Sequence, residues 1–151
     1  MKTLNSYTER KVTDYIAVHC SATKASADIG EAEIRKWHKD QDWSDIGYNV
    51  VIRRNGLIEI GRPIDYQGAH VAGYNEEAVG VCLVGGLDEN GNADNNFTDE
   101  QFAALLVTLR FLKGYAPLAR IQGHRDFPGV KKDCPCFDVR AWLSKTDPLL
   151  L

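Results

Sequence analysis

The 151-residue chain has no apolar run long enough to span a bilayer. Its densest apolar stretch, FAALLVTLRFL, is broken by Thr108 and Arg110. The opening MKTLNSYTERKVTD is polar and lacks the apolar core of a secretion signal, so the expected location is the cytoplasm. A basic excess is also missing: 18 Lys and Arg stand against 21 Asp and Glu, a formal charge of −3. That balance argues against a sequence-independent nucleic-acid binder, which must neutralise many phosphates. Four cysteines, Cys20, Cys82, Cys134 and Cys136, lack the density of a secreted disulfide scaffold. In a reducing compartment they read as buried thiols or metal ligands. The chain has no internal repeat, low-complexity segment or Pro/Ser-rich linker, and no H-E-x-x-H, G-x-x-x-x-G-K-[ST], G-x-S-x-G or C-x-x-C.

What is present suits one globular domain. Apolar residues make up 44% and charged residues 26%, enough to build a core and too apolar for a disordered chain. The expected organisation is a tail over 1–13, a domain over 14–145 and a short tail over 146–151. DYIAVHC reads as a strand with Tyr15, Ala17 and His19 on one face. IGEAEIRKWHKDQ reads as a helix capped by Asp28, with Ile34, Trp37 and His38 sharing a side. In YNVVIRRNGLIEIG, Asn55-Gly56 marks a turn between two β-rich runs. AVGVCLVGG suits a strand buried on both faces, with Cys82 in the core. Thr98 and Gln101 form a capping box ahead of a helix whose buried stripe is Phe102, Leu105, Leu106, Leu109 and Leu112. LARIQGH reads as a last strand and FDVRAWLSK as a closing helix. Strands interleaved with helices predict an α/β fold: a single domain with a mixed central sheet flanked by helices.

The chemistry-bearing residues are dispersed. His19 ends the first strand, His124 ends the last, and HRDFPGVKKDCPCFD brings Cys134 or Cys136 ten to twelve residues later. Two imidazoles and a thiolate would give zinc three protein ligands and leave a fourth position for water. Spacing alone does not choose between the two sulfurs, because side chains two apart on an extended segment point the same way.

Segments of the form FVHCSATK open the zinc N-acetylmuramoyl-L-alanine amidases of the phage lysozyme (endolysin) type, which share a fold with peptidoglycan recognition proteins. This chain resembles that family through IAVHCSATKAS, IRKWHKDQDWSDIGYNVVIRRNG, GAHVAGYNEEAVGVCLVGG, NFTDEQ and GHRDFPGVKKDCPCFD, in family order from about residue 14 to 143. The likeness is greatest to the small single-domain lysozymes of short-tailed phages. It departs at Asp42, where a glycine is common, and at Cys136, where a small polar residue is common.

The resemblance implies one Zn2+ per chain held by His19, His124 and Cys134, with Tyr48 and Lys132 as catalytic side chains. Tyrosine can hydrogen-bond a reacting water or tetrahedral centre, and an ammonium can stabilise an oxyanion. It places His70 and Asn75 in the substrate groove. Trp37 and Trp43 read as packing residues, and His38 and Cys20 as structural. The implied activity is hydrolysis of the lactyl–L-alanine amide of peptidoglycan by a monomer that uses neither nucleic acid nor membrane. Reaching the wall from the host cytoplasm would need a holin or equivalent. A non-catalytic peptidoglycan-binding module is the alternative. The group resemblance adds a phage RNA polymerase as a further partner.

Overall fold

The structure, a computed structural model, describes residues 7–151. In chain order the elements are β1 (Tyr15–Cys20), β2 (Thr23–Lys24), α1 (Glu31–Asp40), β3 (Val50–Ile52), β4 (Ile58–Ile60), β5 (Ala78–Leu83), β6 (Gly86–Leu87), α2 (Asp99–Tyr115), β7 (Arg120–Gly123) and α3 (Val139–Thr146). Five strands make the main sheet in the order β4-β3-β5-β1-β7, and β2 pairs with β6 apart from it. Pairings from β3 to β7 are parallel, while β4 runs antiparallel on the edge, so the sheet is mixed as expected.

Alternation along the strands sorts two faces. Ile16, Val18, Val50, Ile52, Val81 and Leu83 pack under α2 and α3. Leu105, Leu109 and Leu112 of α2 supply the facing stripe, each contributing about 2 kcal/mol by burial. On the opposite face Ile34 of α1 covers Val51 and Cys82, and Val71 and Phe127 cover Ala17. Between these two covers, over the C-terminal end of β1, the sheet stays open to a cleft.

Local chemistry sets the element ends. Thr98 Oγ1 accepts the Gln101 N–H at 3.1 Å, and the Gln101 side chain accepts the Thr98 N–H at 3.1 Å. The buried Gln101 amide also donates to Ile52 O and Val84 O, tying α2 to the ends of β3 and β5. The expected cap of α1 is corrected: Gly30, not Asp28, is the N-cap. Glu33 accepts the Gly30 N–H at 2.9 Å and Glu59 accepts the Glu31 N–H at 3.1 Å, so other carboxylates already serve the free donors. Asp28 instead pairs with Arg53. The Asn55-Gly56 turn forms, with Gly56 at φ +86°.

The boundary expected at residue 14 does not mark where packing begins. Residues 1–6 of that tail lie outside the described residues, but Arg10 is 5% exposed. Its guanidinium donates to Tyr66 O at 3.0 Å, to Ile64 O and to Thr13 Oγ1, while Glu9 bridges to Tyr66. At the other end Leu150 is buried against the core that α2 and α3 build. Among the described residues no helix is long and apolar enough to cross a membrane.

Candidate metal centre and cleft

β1 and β7 are neighbours in register, Val18 opposite Gly123. His19 therefore follows on β1 where His124 follows β7, and their rings lie 4.5 Å apart between centroids. Both leave the C-terminal edge of parallel strands, where α/β sheets place their ligands. The segment after His124 returns to bring Cys134 Sγ within 3.9 Å of His19 Nδ1. One donor atom from each of His19, His124 and Cys134 lies within 4.8 Å of the others. Tetrahedral zinc with ordinary bond lengths holds sulfur and nitrogen about 3.6 Å apart. The three donors fit such an ion after a small inward movement, and the donor set suits zinc.

The environment keeps the donors ready. Burial, with His70, His124 and Lys132 adding to it, drives the His19 pKa well below the usual histidine value. Burial and then Lys132 lower that of His124. Both imidazoles are thus neutral at pH 7, as a metal ligand must be. The Cys20 backbone N–H donates to Cys134 Sγ at 3.2 Å.

The remaining thiols point elsewhere. Cys136, with φ +75°, directs its sulfur toward Gly86 O at 3.4 Å and Cys20 Sγ at 3.9 Å. Burial pushes its pKa up to about 12. The geometry at Cys136 removes the ambiguity of the Cys-Pro-Cys spacing: one sulfur faces the histidines and the other does not. A closed centre with both sulfurs is not the arrangement formed. Cys82 is fully buried in the core.

Above the three donors lies a cleft of about 900 Å3, open to solvent. Tyr48, Lys132, His70 and Asn75 all line it. The Tyr48 ring sits 5.2 Å from His19 between centroids. Burial, reinforced by the surrounding thiol groups, raises its pKa well above the ordinary tyrosine value, so the phenol stays protonated and can donate. Lys131 and Lys132 both stand on the cleft wall, but it is the Lys132 charge that lowers the two histidines.

Trp43, 39% exposed, packs on His38 at 4.4 Å between centroids and also forms cleft wall. Trp37 is exposed on α1 as well. His38 Nδ1 accepts the Gly47 N–H at 2.9 Å, and its ring also lines the cleft. The preceding Asp42 has φ +64°, a left-handed position, which explains why its place suits glycine and why an aspartate can substitute. Asn75 turns its Oδ1 onto the backbone N–H groups of His70 and Val71, at 2.9 and 3.0 Å. His70 is 9% exposed and directs both ring nitrogens into the protein.

A mixed sheet bearing two histidines and a cysteine beneath an open cleft defines an α/β protein of the amidase and peptidoglycan-recognition class. Residues 8–137 match the family profile described as N-acetylmuramoyl-L-alanine amidase, and the chain belongs to that family. It is 50% identical over 144 residues to the endolysin of Enterobacteria phage K11, covering 95% of this chain and 93% of that protein. To the endolysin of Escherichia phage T7 it is 43% identical over 141 residues, covering 93% and 92%. Among solved structures, the amidase LysCS from Clostridium intestinale URNW superposes with a TM-score of 0.78 at 25% identity, covering 93% of this chain and 87% of that one. Drosophila PGRP-LB gives 0.73 at 25% identity, covering 91% and 82%.

Proposed function

We propose that the protein is a zinc-dependent N-acetylmuramoyl-L-alanine amidase that hydrolyses the lactyl–L-alanine amide of peptidoglycan as a phage endolysin. The observation that carries this reading is the meeting of His19, His124 and Cys134 within 4.8 Å under an open cleft in a chain of this family. These three side chains would hold the metal, one ion per chain. When bound, zinc supplies Lewis acidity and activates water at neutral pH.

The chain's own groups supply the rest. An amide carbonyl entering the cleft meets the protonated Tyr48 phenol, which donates to the developing tetrahedral centre. The Lys132 ammonium stabilises the oxyanion from the cleft wall. Trp43, beside His38, offers an apolar face to the glycopeptide. His19 and His124, held neutral, keep their lone pairs for the ion. Retention of Cys134, Tyr48 and Lys132 together favours catalysis over mere binding.

The test is release of muropeptides from purified peptidoglycan with and without a chelator, with new L-alanine amino termini as the product signature. Undiminished release from zinc-free protein would overturn the reading. The amidase domain is proposed to span residues 14–145, with Arg10 on one side and Leu150 on the other packing onto it. Access to the wall from the cytoplasm is assigned to a holin or equivalent. The polymerase contact implied by the family resemblance is a separate proposal, tested by pull-down with the cognate enzyme.

A further inference from the structure

His70 was expected in the substrate groove, yet its hydrogen bonds run inward. Its Nε2 lies 3.1 Å from the carbonyl oxygen of Ala78, and its Nδ1 lies 2.9 Å from Nε2 of His19. A carbonyl oxygen only accepts, so the His70 proton sits on Nε2 and its Nδ1 carries a lone pair. The contact with His19 needs a donor, which must be the Nε2–H of His19. One neutral imidazole carries one N–H, so Nδ1 of His19 is left with its lone pair. That Nδ1 is the atom facing Cys134 Sγ.

The fold holds the His70 ring in this place from three sides. A Cβ added at Gly80 would lie 2.7 Å from His70 Cγ, and one at Gly68 would lie 2.4 Å from Gly47 O and 2.6 Å from His70 Cδ2. Neither glycine has a positive φ; Gly80 is small to make room for the ring, and Gly68 for the ring and the Gly47 carbonyl together. Asn75 Oδ1 secures the His70 and Val71 N–H groups behind it. A ring so enclosed keeps one orientation.

We infer that His70 is a positioning residue: relaying from the Ala78 carbonyl, it locks His19 in the Nε2-protonated tautomer and aims the Nδ1 lone pair at the metal. The inference rests on His19 being a ligand. Ligand histidines whose outer nitrogen loses its partner typically lose tenfold to a hundredfold in metal affinity.

Two readouts test it in the full chain, neither of them activity. In metal-free protein with 15N-labelled histidine, two-bond correlations should show His19 Nε2 protonated and Nδ1 bare; His70→Ala should show both tautomers. Competition with a chromophoric chelator should give a zinc affinity ten to a hundred times weaker for His70→Ala. His70→Gln should recover most of it, because a carboxamide can donate to Ala78 O and accept from His19. Gly80→Ala, which crowds the ring without changing it, should weaken zinc as His70→Ala does. A proton on His19 Nδ1 in the wild type would overturn the inference, as would equal weakening by His70→Ala and His70→Gln. If His19→Ala itself keeps zinc, the ligand assignment fails; if it loses zinc while His70→Ala binds like wild type, the inference alone fails.

Discussion

Exchanging sulfur for oxygen at Cys134 and, separately, at Cys136 distinguishes a ligand from a packed thiol two residues away. Cys134 Sγ faces His19 at 3.9 Å, whereas Cys136 Sγ faces Gly86 O and Cys20. A serine hydroxyl is a harder and far less acidic donor than a thiolate, so Cys134→Ser should lose zinc. With free zinc at a hundred times its Kd, the wild type gains about 2.7 kcal/mol from binding. In a chain of this length that is a rise in Tm of roughly 5–10 °C, which a chelator should remove. Cys134→Ser should show the lower Tm at all times and no response to chelator. Cys136→Ser should keep its zinc and the chelator response, because a hydroxyl can still donate to Gly86 O. Its cost is about 1 kcal/mol from the half-buried site. Metal analysis after dialysis, paired with melting curves, decides the matter. Zinc kept by Cys134→Ser and lost by Cys136→Ser would refute the assignment, and loss from both would indicate a closed centre.

Tyr48→Phe removes one hydroxyl and should cut turnover about a hundredfold or more while zinc content stays the same, as measured by muropeptide release. Lys132→Ala should fall comparably and Lys131→Ala should not, since only the Lys132 charge lowers the histidines; equal losses would indicate a diffuse field instead. Acid should weaken the fold through His70, whose pKa burial lowers to about 4. Between the ordinary value of 6.5 and that figure the unfolded chain binds a proton that the native chain does not, so stability is full above pH 6.5 and declines as pH falls. Urea titrations of the metal-free protein should show a loss on the order of 3 kcal/mol across this window, and His70→Gln should reduce it.

Much of this architecture is legible from local pattern. The alternation in DYIAVHC sends His19 to the face opposite Val18, and Thr98 with Gln101 starts α2 where the capping box predicts. What is not local is harder to read. That β7 lies beside β1 depends on pairing across the whole chain, and only this places His124 next to His19. The separation of Cys134 from Cys136 comes from a backbone that is not extended across this segment, with Cys136 at φ +75°. His70 lines the cleft, but its inward partners, His19 and Ala78, are fixed by tertiary contact and have no local signature in the sequence. Trp43 does pack, against His38, but nothing local shows that the cleft opens beside it.

The pairing of β1 with β7 has a consequence for synthesis. A ribosome delivers residue 19 early and residues 124 to 134 near the end, and β5 occupies the other side of β1 in the meantime. The nascent chain therefore holds His19, with His70 already beside it, at a vacant sheet edge until β7 brings His124. No partial product, however well its first half folds, can gather the three donors. On the proposed ligand set, a chain interrupted before residue 134 would lack one donor and be inactive, sparing a host the activity of unfinished copies.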